Sequence, residues 1–294
     1  MKKCIVIIND MSGNSARVDD RKLAAVFGHG YETEFLHIKR HTVLSDFSDY
    51  DRLVLCGGDG TLNTIINCKK KDSAEIFYCP YGTLNELATG NSQAKDYLLR
   101  DIGHAGNKLF SYVFACGIFT PLGYIVSNKN KQKFKVFAYL TKVVGQYKIH
   151  KINAKLSIDG KEEEGTYTLI MAIDSPKCFG FNFNRMFKLD DGLLHVLTIK
   201  APKHRGLLGK IRVFFPLFRA FFIGFNKPYR SKTMFFGECK SLNIDLSEKV
   251  DFCSDGEKVV MDGNFDVEPV RLSSPIRIIA QSKVEAMAKQ NKFV

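Results

Sequence analysis

The chain has 294 residues, 45% hydrophobic and 25% charged, a composition that excludes a disordered protein and allows one large core or two domains. The net charge of +12 favours anionic partners: nucleic acid, lipid headgroups or metabolites. No apolar run approaches the roughly 18 residues of a membrane span, and eight single cysteines without a CxxC pair predict reduced thiols in the cytoplasm.

The N-terminal part alternates short strands with short helices. Strands are predicted at "KCIVII", "YETEFLHI", "YDRLVLC" and "EIFYCP", and helices at "SARVDDRKLAAVF", "TLNTIINCKK" and "LNELATG". This order is typical of a parallel sheet that binds ligands at the carboxyl ends of its strands. We therefore expect a Rossmann-like α/β domain over residues 1–107.

From about Lys108 onward, strand patterns dominate. "KLFSYVFACGIF" is strand-like, "KQKFKVFAYLTKVVGQY" has helical spacing, and a hairpin is expected around Asp159-Gly160. These patterns predict a β-rich domain over residues 108–282. A C-terminal helix over 283–294 is expected to pack back on the first domain.

The stretch "VLCGGDGTLN" runs from a buried strand into a glycine-rich turn and then a helix. Glycines such as Gly57, Gly58 and Gly60 let backbone N–H groups face an anion at close range, and Thr61 begins a helix whose N-terminus favours phosphate. Asp59 repels phosphate unless Mg²⁺ or proton transfer is involved. The alternative is a sharp strand-to-helix turn that merely contains an aspartate. The GxxxxGK[ST] pattern is absent, so this is not a P-loop.

Four motifs in this order, the last made of two stretches, resemble the diacylglycerol kinase catalytic domain, a family related to sphingosine kinases and, more remotely, NAD kinases. They are "NDMSGNS" (9–15), "GGDGTLN" (57–63), "PYGTLNELA" (80–88), and the pair "LDDGLLHV" (189–196) with "SDGE" (254–257). The resemblance spans nearly the whole chain. It implies a β-sandwich-like second domain and an active-site cleft between the two domains.

The resemblance also implies an ATP site with Mg²⁺. The implied nucleotide-binding residues are Asn9, Ser12, Gly13, Gly57, Gly58, Gly60, Thr61, Gly82 and Thr83. Asp59 would be catalytic within a carboxylate–water–Mg²⁺ network, with Glu86 and Asp101 at two further acidic positions of that network. Mg²⁺ keeps several waters and binds few carboxylates, so scattered acids suit it.

Two acids of the second domain are assigned by the same resemblance. Glu257 would be the general base that takes the proton of a lipid hydroxyl. Asp191, with the backbone carbonyls of Lys188 and Leu193, would hold a structural Mg²⁺. In both cases the alternative is an ordinary turn residue, because "SDGEK" and "DDG" are good turn sequences.

This chain departs from the family pattern at several positions. Asp10 replaces a proline and adds negative charge near the phosphates, and Glu86 replaces an aspartate. The basic run Lys39-Arg40-His41 stands where the family usually has a threonine. These changes bear on nucleotide preference and metal geometry rather than on the fold.

The segment Lys200–Lys232 contains nine Lys or Arg, six Phe and no acidic residue. Helical spacing places Phe214, Phe218, Phe221, Phe222 and Phe225 near one face. Such a helix suits the surface of an anionic membrane. The alternative is a core helix with solvated charges. Nucleic acid is not expected as a partner because no binding motif accompanies the charge.

The sequence thus predicts an ATP- and Mg²⁺-dependent kinase of a diacylglycerol-like lipid, cytoplasmic and peripherally bound to the membrane. Two alternatives stay open: an NAD kinase-like enzyme, and a non-catalytic nucleotide- or lipid-binding homologue. Homodimer formation is also left open.

Overall fold

The computed structural model describes residues 1–39, 44, 46–82, 85–90, 96–118, 151–178, 180–203, 206–290 and 292–294. Thr83, Arg40, His41 and the helix expected over residues 131–147 lie outside these ranges. The chain divides into two compact units, unit 1 with residues 1–101 and 271–294 and unit 2 with residues 102–270.

Unit 1 alternates strands and helices along the sequence. Its elements are β1 (Lys2–Asn9), a 3₁₀ turn (Ser15–Arg17), α1 (Asp20–Phe27), β2 (Tyr31–Ile38), β3 (Asp46–Phe47), β4 (Arg52–Gly57), α2 (Asp59–Ile66), β5 (Lys69–Lys70), β6 (Glu75–Pro80) and α3 (Glu86–Gly90). The long strand β18 (Glu257–Ile279) ends in unit 1, and α5 (Gln281–Lys289) follows it. The helix predicted over "TLNTIINCKK" ends earlier than expected, because its last residues form β5.

The main sheet of unit 1 is parallel, as predicted. Its order is β18, β6, β4, β1 and β2, and all four pairings are parallel. Every residue of β4 is buried, the pattern of a strand covered on both faces. Helix α5 packs beside α1, where Val284 joins the core around Val26. All the loops that follow β1, β4 and β6 therefore leave from one edge of the sheet.

Unit 2 is β-rich, as predicted, and antiparallel. Its remaining elements are β7 (Asp96–Ala105, which begins in unit 1), β8 (Lys108–Phe110), β9 (Val113–Gly117), β10 (Ile152–Ile158), β11 (Lys161–Ile173), β12 (Lys177–Cys178), β13 (Phe181–Asn182), β14 (Leu194–Lys200), α4 (Gly206–Phe218), a π-helix (Arg219–Ile223), β15 (Tyr229–Arg230), β16 (Met234–Cys239) and β17 (Leu242–Ser254).

The strand order in unit 2 is β15, β16, β14, β11, β10, β17 and β18, and β9 pairs with both β11 and β17. The predicted hairpin is confirmed, because Ile158 lies opposite Lys161 across Asp159-Gly160. The sandwich-like arrangement stays a prediction. Among the described residues, none of the helices has the length and apolar character of a membrane span.

The aromatic face predicted for residues 214–225 is wrong in part. Phe221 and Phe225 are buried, whereas Phe214, Phe218 and Phe222 are each about two-fifths exposed. The physical reason is a change of helix type, since the α-helical period ends at Phe218 and a wider π-helical turn follows. The helix ends at Gly224, which has a φ of 73°.

Candidate active site

Three loops lie at the carboxyl edge of the parallel sheet in unit 1. They are residues 9–15 after β1, 57–61 after β4, and 80–82 after β6. These strands are neighbours in the sheet, in the order β6, β4, β1. Open α/β sheets bind their ligands at this edge. The three stretches singled out in the sequence are therefore brought together.

Hydrogen bonds tie the third loop to the other two. The Asn14 backbone N–H donates to the Tyr81 carbonyl at 3.0 Å, and its Nδ2 donates to the Gly82 carbonyl at 2.7 Å. The Gly57 carbonyl accepts from the N–H groups of Tyr81 at 2.7 Å and Gly82 at 2.9 Å. The loops therefore form one connected backbone frame.

The first and second loops are joined through a buried hydroxyl. Asn9 Nδ2 donates to Thr61 Oγ1 at 2.8 Å, and the Thr61 side chain folds back over Gly57. A Cβ on Gly57 would lie 2.4 Å from that Oγ1, so only glycine fits. Asn9 also accepts from the Met11 N–H through Oδ1 at 3.0 Å and from the Ser12 N–H through its carbonyl at 3.0 Å.

The glycines allow two backbones to approach closely. A Cβ on Gly82 would lie 2.4 Å from the Gly58 Cα, which is far inside contact distance. The Gly82 N–H donates a hydrogen bond to the Gly57 carbonyl. Helix α2 begins at Asp59, beside this close approach, and the dipole at a helix N-terminus favours negative charge.

Asp59 is the first residue of α2 and reaches across to α3. Its Oδ2 accepts from the Glu86 backbone N–H at 2.7 Å, and its Oδ1 lies 3.5 Å from the Tyr78 hydroxyl. Burial, followed by the Asp59 charge, raises the pKa of Tyr78 well above its ordinary value, so its hydroxyl stays protonated. The half-buried Asp59 carboxylate offers hard oxygen donors of the kind that Mg²⁺ prefers, and Mg²⁺ in proteins usually keeps several bound waters. The residue type therefore fits a water-mediated Mg²⁺.

Two further predicted acids lie in unit 1. Glu86 is 4% exposed at the start of α3, and Asp101 is 8% exposed on β7. Both carboxyls are buried, where a charge requires partners. Gly13 is exposed in the first loop, and Ser12 is half-buried. Within the described ranges no three His, Cys, Asp or Glu side chains form a group of direct metal ligands.

In unit 2, Glu257 begins β18 directly after a two-residue turn. The first residue of that turn, Asp255, is 2% exposed. Asp255 Oδ2 accepts from the backbone N–H and hydroxyl of Ser111, and Oδ1 accepts from the N–H groups of Tyr112 at 2.9 Å and Val113 at 3.0 Å. The turn is thus fixed to the β8–β9 connection, which positions the exposed Glu257.

Asp191 lies in an exposed turn before β14. Its Oδ1 accepts from the Leu193 N–H at 3.1 Å, and its neighbours Asp190 and Gly192 have positive φ of 56° and 69°. This is the turn geometry expected for Asp-Gly. A carboxylate with the carbonyls of Lys188 and Leu193 is also an all-oxygen donor set of the kind that Mg²⁺ prefers.

Comparison with known proteins finds a match for the first part of the chain. Residues 3–99 match the model of the diacylglycerol kinase catalytic domain. This segment is therefore similar to that family. Curated diacylglycerol kinases are similar to the chain: the Staphylococcus carnosus (strain TM300) protein is 25% identical over 71% of each chain, and the Bacillus subtilis (strain 168) protein is 23% identical over 87% of this chain and 90% of its own.

The fold extends beyond the matched segment. A solved structure of a diacylglycerol kinase from Bacillus anthracis str. Sterne superposes with a TM-score of 0.59 at 18% identity, and covers 96% of this chain and 98% of its own. The predicted resemblance is therefore confirmed, and both units follow the architecture of that structure.

Asp10, which departs from the diacylglycerol kinase pattern, has a histidine as its partner. The Asp10 carboxylate lies 2.9 Å from His37 Nδ1, and His37 Nε2 lies 3.2 Å from the Asp20 carboxylate. The hydrogen bond to Asp10 is the main reason why the pKa of His37 is raised. The positive charge of protonated His37 offsets the extra negative charge that Asp10 brings to the first loop.

Sequence reasoning missed several residues that hold the site in shape. Asn14 and Asn85 tie the third loop through their side-chain amides, Tyr78 faces Asp59, and Asp255 anchors the turn before Glu257. Asn85 and Asp255 both have positive φ, 49° and 50°, which Asn and Asp tolerate best. Asn85 lies in "PYGTLNELA" and Asp255 in "SDGE", and these positions in diacylglycerol kinase-like motifs were a signal for such roles. Nothing in the sequence indicated Tyr78.

Proposed function

We propose that the chain is an ATP- and Mg²⁺-dependent lipid kinase that phosphorylates a hydroxyl of a diacylglycerol-like lipid. The observation that carries this proposal is the position of Asp59, at the start of α2 within three hydrogen-bonded loops of a diacylglycerol kinase catalytic domain. The names of the curated relatives support the lipid acceptor.

The nucleotide phosphates bind at the N-terminus of α2 in this proposal. The N–H groups of Asp59 and Gly60 point toward the negative charge, and the helix dipole favours it there. Asn9, Ser12, Gly13, Gly57, Gly58, Gly60, Thr61, Gly82 and Thr83 line the nucleotide. Bound Mg²⁺ supplies charge neutralisation for the phosphates. Asp59, Glu86 and Asp101 orient the waters of that ion.

The transfer needs a base for the attacking hydroxyl and little covalent work from the protein. Glu257 takes the proton of the lipid hydroxyl. The hydroxyl oxygen forms a bond to the γ-phosphorus of ATP, and the bond between that phosphorus and the β-phosphate oxygen breaks. Asp255 is a positioning residue, because its four hydrogen bonds hold the turn that carries Glu257. Asp191, with the carbonyls of Lys188 and Leu193, holds a structural Mg²⁺.

The two predicted domains have separate roles in this proposal. Residues 1–107, with the C-terminal helix, bind the nucleotide, and residues 108–282 bind the lipid. The enzyme works in the cytoplasm at an anionic membrane surface, which it meets through the basic, Phe-rich segment Lys200–Lys232. The absence of acidic residues from that segment supports this part.

The test is transfer of radiolabelled phosphate from ATP to a panel of lipid alcohols in mixed micelles. Asp59→Asn removes the charge and keeps the size of the side chain, and we expect it to lower kcat by about 10²-fold or more, in the range of a lost electrostatic or acid–base contribution. Asp49→Asn, at an exposed position of the same unit, should leave kcat unchanged. Circular dichroism confirms that both variants are folded.

Full activity of Asp59→Asn would overturn the role of Asp59. Two further outcomes separate the alternative functions. Formation of NADP from ATP and NAD would indicate an NAD kinase-like enzyme. Binding of ATP without transfer to any lipid alcohol would indicate a non-catalytic homologue.

A further inference from the structure

Helix α4 and the π-helix that follows it are apolar on two opposite faces. The inner face packs on unit 2: Val213, Leu217, Ala220 and Phe221 are at most 6% exposed. Phe221 packs edge-on against Phe181 and Phe183, with ring centroids 5.8 and 5.1 Å apart. This face accounts for the core packing of the segment.

The outer face is also apolar, and it is exposed. It consists of Leu208, Ile211, Phe214, Phe215, Phe218, Phe222 and Ile223, with exposed fractions between 40% and 66%. We call these seven residues the outer face. Twelve large hydrophobic residues of the described chain are exposed, and the outer face contains seven of them. An apolar patch of this kind marks an interaction surface rather than scattered surface residues.

Three rings of the outer face form a preassembled aromatic row. Phe214 stacks on Phe218 with centroids 5.8 Å apart, and Phe218 stacks on Phe222 at 5.1 Å. Phe215 adds an edge-on contact to Phe214 at 5.7 Å. Because the rings hold one another in place, little conformational entropy is left to lose on binding.

Charge decides what covers the outer face. The segment Lys200–Lys232 has nine basic residues and no acidic one, and Lys203, Arg212, Lys227 and Lys232 are exposed. A symmetric contact between two copies would set this positive charge against itself, which is unfavourable. An anionic bilayer offers both apolar depth for the rings and negative headgroups for the basic side chains.

We propose that α4 and the π-helix lie in the plane of an anionic membrane surface, with the outer face inserted among the acyl chains near the headgroups. The inner face stays packed on unit 2, so the segment anchors the folded unit and does not span the bilayer. This inference deepens the proposed function. It rests on that function only where it takes the acceptor to be a lipid.

The chain contains no tryptophan, so a single introduced one reports its own surroundings. We expect Phe215→Trp to shift its emission to the blue on addition of vesicles of phosphatidylglycerol and phosphatidylcholine, and to be quenched by brominated acyl chains. Phe35→Trp is the matched control, because Phe35 is 37% exposed on β2 in unit 1. Its emission should not change.

Three outcomes of this experiment would overturn the proposal. The tryptophan introduced by Phe215→Trp could stay accessible to aqueous iodide in the presence of vesicles. It could be shielded from iodide before vesicles are added, at every protein concentration, which would mean that another part of this chain covers it. Shielding that grows with protein concentration would mean that a second copy covers it.

A second measurement tests the energetics by vesicle co-sedimentation. The Phe215→Ser/Phe218→Ser double variant should bind anionic vesicles about tenfold or more weakly, since each ring loses much of its transfer from water. Phe35→Ser should bind like the wild type. Equal binding by the double variant would overturn the inserted outer face.

Assaying the wild type on a short-chain lipid alcohol in detergent micelles, beside the vesicle binding of both proteins, separates this inference from the proposed function. Transfer by the wild type, with weak vesicle binding by the double variant, supports both. Absence of transfer by the wild type, with intact vesicle binding, would refute the kinase activity and leave the membrane anchor supported.

Discussion

At the scale of single residues, His37 is a titratable group in contact with the loop that follows β1. It lies between the carboxylates of Asp10 and Asp20, and both contacts raise its pKa. A raised pKa in the folded state means that the stabilisation is fully present below the unfolded value of about 6.5 and is lost as pH rises through the folded value.

We therefore expect His37→Gln to reduce the free energy of unfolding more at pH 5.5 than at pH 8.5. The ring is 40% exposed and solvent screens the pair, so the difference should be at most about 1 kcal/mol. Urea unfolding at the two pH values measures it. A loss of the same size at both pH values would show that the charge of His37 does not contribute.

At the scale of elements, the site depends on how closely the loops after β4 and β6 approach each other. Gly58 and Gly82 meet backbone to backbone, and a Cβ on Gly82 would also lie 2.4 Å from Asn85 Oδ1. Because the nearest atoms include backbone, a larger residue cannot be accommodated by a rotamer change alone.

Gly82→Ala should lower the free energy of unfolding by about 1–3 kcal/mol, as expected for overpacking, and raise the KM for ATP. Thermal or urea unfolding and initial-rate kinetics measure the two effects. Gly165→Ala is the matched control, because its Cβ would make only ordinary contacts with Tyr167 at 3.5 Å or more. Equal stability of both variants would contradict the close approach of the loops.

The sequence was informative where a local pattern determines the structure. The "GGDGT" turn, the alternation in unit 1 and the Asp159-Gly160 hairpin all follow from residues within about one element. It was uninformative where distant groups meet. Asp255 bonds to Ser111 across 144 positions, and Asn14 to Gly82 across 68. The sequence also did not predict that Phe221 is buried while Phe218 is exposed, because an α-helical period does not continue through a π-helix.

At the scale of the whole molecule, the two proposed ligands act on different units. The three loops after β1, β4 and β6 belong to unit 1, and the outer face belongs to unit 2. A ligand at 100 times its Kd stabilises the folded state by about 2.7 kcal/mol, which slows exchange roughly a hundredfold for amides whose opening releases the ligand.

Hydrogen exchange with mass spectrometry should therefore give two distinct footprints. A non-hydrolysable ATP analogue with Mg²⁺ should slow exchange at residues 9–15, 57–61 and 80–82, and anionic vesicles should slow it at residues 206–223. Gly82→Ala should weaken only the first footprint and Phe215→Ser/Phe218→Ser only the second, because each change lies in one unit. An ATP footprint confined to residues 206–223, or a vesicle footprint confined to the three loops, would contradict this division of binding between the units.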